Sequence, residues 1–176
     1  DVLLALSVGR LTEHKDQATL LRAWAGVGER VPGAVLALVG AGQLARPLHA
    51  LAAELRLGSS LRFVAPRPDL APAYTDADLF CLSSRWEGLP YVVLEAMSYA
   101  LPVVSTGVDG IPEAVAEGES GLLVPPGDPE ALAGAITRLL GDPDARARMG
   151  AAGELIAAER FGLDRMADEL VAIYRQ

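Results

Sequence analysis

Short apolar runs alternate along the chain with longer stretches whose apolar positions recur at helical spacing. The runs predict strands at 2–8, 35–39, 61–64, 79–83, 102–105 and 121–124. Several are apolar at consecutive positions, Leu79-Phe80-Cys81-Leu82 most clearly, as strands covered on both faces should be. Helical spacing falls between them, at 16–30, 43–57, 69–74, 91–100, 111–117 and 129–140. This alternation predicts an α/β fold, a doubly wound parallel sheet of about six strands.

The last third changes character. Asp128-Pro129-Glu130 and Asp142-Pro143-Asp144 each offer an N-cap, a proline in the first turn and an acid beside the helix dipole. Gly141 between them suits the stop of the first helix. Two extra C-terminal helices, at 143–160 and 164–175, then close the chain with no strand after them. With no repeat, low-complexity segment or linker, residues 1–176 read as one domain.

Composition narrows the function more than the fold. Hydrophobic residues make up 51% but aromatics only 5%, so the core is built from Ala, Val and Leu. A formal net charge of -8 argues against a nucleic-acid surface or a polybasic membrane patch. Cys81 is the single cysteine, which excludes a disulfide framework and a Cys-based zinc site and leaves a small core residue. No apolar stretch reaches the roughly 18 residues of a membrane span, and 91–104 is broken by Glu95 and Pro102. The chain shows no signal peptide and opens directly on a strand, so we expect a piece of a longer, cytoplasmic protein.

Open parallel sheets bind ligands at the carboxyl ends of their strands, so the strand-to-helix loops carry the candidate chemistry. The first, Gly9-Arg10-Leu11-Thr12-Glu13-His14-Lys15, offers a guanidinium fork and an ammonium to a diphosphate. Lys15 is the only lysine among fifteen basic residues, which hints at a role arginine fills poorly; a solvated turn explains it equally well. The second, Gly40-Ala41-Gly42-Gln43-Leu44-Ala45, matches the dinucleotide fingerprint G-x-G-x-x-G/A. It follows the second strand instead of the first, and no acid stands roughly 20 residues on, so a nicotinamide site is disfavoured against a tight turn.

The third loop, from Ser83 to the helix carrying Glu95, is the most informative. Gly88 should permit a tight turn and Pro90 sits at a helix start, leaving free N–H groups for anions or hydroxyl oxygens. Glu95 has only apolar neighbours in sequence, from Val92 to Met97. A carboxylate there needs a donor: vicinal sugar hydroxyls, or a neighbouring arginine such as Arg85. The fourth, 105–113, reads by itself only as a close turn before a capped helix.

Together these segments resemble the C-terminal domain of the family-4 retaining glycosyltransferases, which carry the GT-B fold of two facing Rossmann-like domains. The resemblance covers essentially the whole chain. It runs from Val8-Gly9-Arg10-Leu11 and Lys15, through Tyr74 and Ala77-Asp78-Leu79-Phe80, to the acid pair Glu87 and Glu95. Gly110-Ile111-Pro112-Glu113, Gly121-Leu122-Leu123-Val124 and Tyr174-Arg175 complete it.

The resemblance implies one half of a GT-B fold, with the acceptor domain outside this chain. It makes Arg10 and Lys15, in the loop opened by Gly9, the groups that neutralise a diphosphate leaving group, and Glu87 the contact to the transferred sugar. Backbone groups of Gly88, Leu89, Pro90 and Tyr91 would line sugar and phosphates, and Glu95 would accept from the ribose. Ala65 and Arg67 fall where the family cradles the base, although glycine is usual at the position of Ala65. His14 would border the site, and His49 would be a helix-surface residue. No cofactor or metal is expected, since two cations can do the work of a divalent ion. The expected partners are a nucleotide-sugar donor, an unidentified acceptor and the acceptor domain of the same enzyme, through which any membrane contact would run. A stand-alone nucleotide-sugar-binding module without catalysis is the alternative from another class, and an NAD-linked oxidoreductase a third.

Overall fold

The structure is a computed structural model, and it describes residues 2–162 together with Arg165, Val171 and Tyr174. The sheet strands are β1 (Leu4–Val8), β2 (Val35–Val39), β3 (Leu61–Val64), β4 (Leu79–Leu82), β5 (Val103–Thr106) and β6 (Gly121–Val124). They pair in the order β3-β2-β1-β4-β5-β6, every pair parallel. The helices are α1 (Gln17–Arg30), α2 (Ala45–Glu54), α3 (Ala71–Asp76), α4 (Tyr91–Ser98), α5 (Ile111–Ala114), α6 (Pro129–Leu140) and α7 (Pro143–Phe161). Two short 3-10 turns, Glu13–Lys15 and Gly58–Ser60, precede α1 and β3.

Strand side chains alternate between two cores, as the period of two requires. Leu36, Leu38, Leu79, Cys81 and Val104 face one, under α1 and α6. Leu6, Val39, Phe80, Leu82 and Val103 face the other, under α4 and α7. Two buried faces explain the unbroken apolar runs of the sequence. Cys81 is a core residue whose thiol pKa is pushed up by burial, so it stays protonated. Arg146 braces the opposite end of the sheet, donating to the carbonyls of Leu139 (2.8 Å) and Leu140 (2.7 Å) and lying beside Asp78.

Asp128 and Asp142 cap α6 and α7 as expected, accepting from Ala131 N and Ala145 N, each at 2.9 Å. Other expected boundaries shift. Asp16 has left-handed φ (42°), so α1 starts one residue later. Asp69 accepts from Ala71 N (2.9 Å), capping a turn instead of opening a helix, and α3 is displaced to Ala71–Asp76. Ala100, at φ 54°, terminates the turn after α4. Helix α5 stops at Ala114 because Glu117 bridges to Gly121 at the head of β6. Gly141 ends α6 with right-handed φ (-82°), not the left-handed stop its identity suggests. The last predicted helix, 164–175, lies outside the described residues but for Arg165, Val171 and Tyr174.

The winding reverses between β1 and β4. The chain leaves β1 outward to β2 and β3, then returns to β4 and runs the other way. The helices that follow β1 and β4, α1 and α4, therefore pack on opposite faces of the sheet, and the switch point between the two strands is where such sheets take ligands.

Candidate active site

Lys15 closes the 3-10 turn after β1, and Glu87 lies in the loop after β4. The crossover brings them into a direct ion pair from Lys15 Nζ to Glu87 Oε1. Their side chains are only 13% and 9% exposed, so the pair is largely shielded from solvent screening. Ser84 Oγ donates to the same Oε1 at 2.6 Å. Arg10 stands apart, exposed at the rim, and its guanidinium pairs with no described residue. Gln17 Nε2 holds the Arg10 carbonyl at 2.8 Å, which fixes the backbone that carries the guanidinium.

Polar side chains at the end of β4 bind the two loops together. Ser83 Oγ donates to the carbonyls of Lys15 (3.0 Å) and Asp16 (2.9 Å). Arg85 N donates to His14 O (2.7 Å), and Arg85 Nε to Asp16 Oδ2 (3.0 Å). From the other side Asp109 Oδ2 accepts from Glu87 N at 2.8 Å, and Thr106 Oγ1 donates to Ser84 O at 2.6 Å. His14 lies half-buried with its ring 5.8 Å from that of Trp86, which is 55% exposed.

A mainly apolar cavity of about 350 Å³ opens beside Arg10, lined by Gly9, Val39, Gly40, Pro66 and Leu70 among others. A second, of about 230 Å³, meets it at Leu70 and is lined by Arg67, Asp69, Tyr74, Glu95 and Tyr99. Tyr74 is buried at 3% exposure, and its hydroxyl donates to Glu95 Oε2 at 2.7 Å. Its ring stacks on Tyr99 with centroids 5.4 Å apart. Burial, and then the neighbouring carboxylate, push the Tyr74 phenol far above its ordinary pKa, so it remains a donor.

Several expectations need correction here. Glu95 is exposed and not sunk among its apolar neighbours, because helical spacing turns Val93, Ala96 and Met97 inward and residue 95 outward. Its partner is Tyr74; Arg85 is engaged by Asp16. Gly88 adopts no left-handed φ, and a Cβ on it would meet no protein atom within 4 Å. Gly40 and Gly42 are packing residues: a Cβ would stand 2.0 Å from Gly9 O in the first case and 2.3 Å from Leu11 O in the second. The fingerprint thus lets the loops after β1 and β2 touch.

Of the other expected residues, Pro90 is the buried N-cap of α4, and no side chain caps that helix. Gly88, Leu89 and Tyr91 are exposed around it, the last two lining a cavity of about 240 Å³ against Phe161 and Gly162. Ala65 and Arg67 are exposed in the loop after β3. His49 is exposed on α2, its ring 3.8 Å from that of Phe63. Asp16, Gln17, Tyr74, Ser84 and Asp109 were missed as site residues. The polar pair Ser83-Ser84 directly after a buried strand was a usable signal; the cross-loop reach of Asp109 left none. Among the described residues no three His, Cys, Asp or Glu side chains gather to hold a metal. No described helix is long and apolar enough to cross a membrane.

A parallel, doubly wound sheet with a shielded cation–carboxylate pair at its switch point defines a Rossmann-like ligand-binding domain. The family model for glycosyl transferases group 1 matches residues 1–155, and the chain belongs to that family. It is 40% identical over 178 residues to the D-inositol 3-phosphate glycosyltransferase of Corynebacterium urealyticum, covering 96% of this chain and 42% of the relative. Sucrose-phosphate synthase of Thermosynechococcus elongatus superposes with a TM-score of 0.92 at 34% identity, over 100% of this chain and 45% of that one. Anabaena HepE, solved with UDP-glucose, gives 0.92 at 25% identity, over 99% and 49%. The chain therefore spans about half the length of these relatives, and its sheet is one half of a GT-B fold.

Proposed function

We propose that the chain is the donor-binding half of a retaining glycosyltransferase that moves a hexosyl group from a nucleotide-diphosphate sugar to an acceptor. The acceptor domain is proposed to lie outside the chain. The observation that carries the reading is the shielded Lys15–Glu87 pair at the switch point. A module that only bound nucleotide would need no carboxylate held there.

Breaking the bond from the anomeric carbon to phosphate places negative charge on the diphosphate and positive charge on the sugar ring. Lys15 and the Arg10 guanidinium stabilise the first; a fixed cation in a water-poor place, as Lys15 is, contributes several kcal/mol (about 3–4), and the exposed Arg10 less. Both hydrogen bonds to Glu87 fall on Oε1, which leaves Oε2 for a sugar hydroxyl. The uncapped first turn of α4 offers N–H groups to phosphate oxygens. Glu95, oriented by Tyr74, accepts from the ribose. The apolar cavity beside Pro66 takes the base. HepE with UDP-glucose supports a nucleotide-sugar ligand, and the family resemblance supports retention, which the anomeric configuration of the product tests.

With two cations at the phosphates, no divalent metal is required. UDP, GDP or UDP-glucose at about 100 times Kd should raise the melting temperature by roughly 5–10 °C. The rise should be the same in EDTA as in magnesium. No shift with any nucleoside diphosphate would overturn the donor site, and a shift only in magnesium would overturn metal independence.

A further inference from the structure

Four non-glycine residues have left-handed φ among the described residues: Asp16 (42°), Arg56 (55°), Ala100 (54°) and Asp109 (45°). Arg56 and Ala100 follow the ends of α2 and α4, a common place for such a turn. The two aspartates lie instead in the loops after β1 and β5, the strands that flank β4. Each directs a carboxylate at the loop after β4. Asp16 Oδ2 accepts from Arg85 Nε at 3.0 Å, and Asp109 Oδ2 from Glu87 N at 2.8 Å. The segment carrying Glu87 is thus held from both sides at positions two residues apart.

Asp109 is the more telling of the two. A left-handed backbone costs a residue with a Cβ roughly 1–2 kcal/mol, and glycine nothing comparable. An aspartate kept there supplies what glycine lacks, a carboxylate, and its hydrogen bond to a backbone N–H is charge-assisted. The neighbouring backbone agrees. A Cβ on Gly110 would stand 2.5 Å from Gly88 O, so the two loops lie backbone against backbone. Asp109 is exposed, so its carboxylate is not needed to fill the core.

We propose that Asp109 is a positioning residue that fixes the Glu87 backbone, so that the Glu87 carboxylate stays on Lys15 with its second oxygen toward the transferred sugar. This rests on the reading of Glu87 as a sugar contact. The latch acts on the geometry of the reacting end, so its loss lowers rate more than donor affinity.

The test is steady-state kinetics on the enzyme with both halves of its cleft, with thermal unfolding alongside, for Asp109→Gly, Asp109→Asn and Glu87→Gln. Asp109→Gly suits the backbone and removes only the carboxylate, so it should fold. Its kcat should fall about tenfold, the worth of one hydrogen bond to a charged group, with the donor KM within about twofold and no loss of melting temperature. Asp109→Asn tolerates the same φ and keeps an acceptor oxygen, so it should recover most of the rate. Wild-type kcat in Asp109→Gly would overturn the latch and leave Asp109 a turn residue. A loss in Asp109→Asn as large as in Asp109→Gly would overturn it in favour of a bare charge effect. Wild-type turnover in Glu87→Gln would instead strike the sugar-contact reading and the latch with it.

Discussion

Around Lys15 and Glu87 the polar groups are already engaged with one another: an ion pair, two serines and two aspartates tie three strand-end loops into one unit. Around Glu95 and Arg67, the proposed nucleoside side, the corresponding groups are exposed and a single hydrogen bond, from Tyr74, sets the carboxylate. On the proposed function, the first arrangement is preorganised for charge that develops only in a transition state, where reorganisation would be costly, and the second leaves its hydrogen-bonding capacity to the nucleotide. Substitutions at the reacting end should therefore act on turnover, and those at the nucleoside end on affinity.

The largest effect tests the first half of that division. Lys15→Ala in the enzyme with both halves of its cleft should lower kcat roughly 10²–10³-fold, the usual loss on removing one preorganised charge-stabilising group. Donor KM should move far less. Removing Lys15 leaves the shielded Glu87 carboxylate without its counter-ion, so the variant should melt lower, while the bonds of Glu87 to Ser84 and Asp109 keep the loop in place. A wild-type rate would show that the shielded pair is architectural, and the contrast between the two ends would collapse.

A purely steric change separates packing from ligand contact. Gly42→Ala would drive a Cβ to 2.3 Å from Leu11 O, breaking the contact that lets Leu44 N bond Leu11 O at 3.1 Å. We expect a loss of about 2–3 kcal/mol, read as a melting temperature lower by roughly 5–10 °C. Retained stability with lost nucleotide binding would give these glycines a part in ligand binding beyond packing.

The sheet was legible in the sequence because its strands are buried on both faces, which writes them as apolar runs. Lys15 stood out only as the single lysine, and its role and that of Glu87 came from the family resemblance; that the two side chains meet had no signature in the sequence. What the sequence hid was either three-dimensional periodicity or long-range contact. Glu95 looked buried because the apolar run around it conceals a helical face, and only the helix shows residue 95 pointing out. Asp109 reaches Glu87 across 22 residues, and Gly42 meets Leu11 across two loops. Neither contact has a local signature, so a turn was all the sequence could announce.

The smallest effect bears most directly on the nucleoside end. Tyr74→Phe removes the hydroxyl that sets Glu95 at 2.7 Å and leaves the stacked ring on Tyr99 in place. Losing this orienting hydrogen bond, which does not itself touch the ligand, should weaken UDP binding about threefold to tenfold, the net worth of an ordinary hydrogen bond, measured by titration calorimetry, while kcat at saturating donor stays unchanged. Because burial and then Glu95 raise the Tyr74 pKa, the wild-type phenol keeps its proton, and affinity should not decline on its account as pH rises toward about 10, where a free tyrosine ionises. A kcat that falls together with affinity would mean that Glu95, in the middle of α4, and Glu87, in its entry loop, act as a single rigid unit. The nucleoside end would then be part of the preorganised machinery, and its openness only a property of its surface.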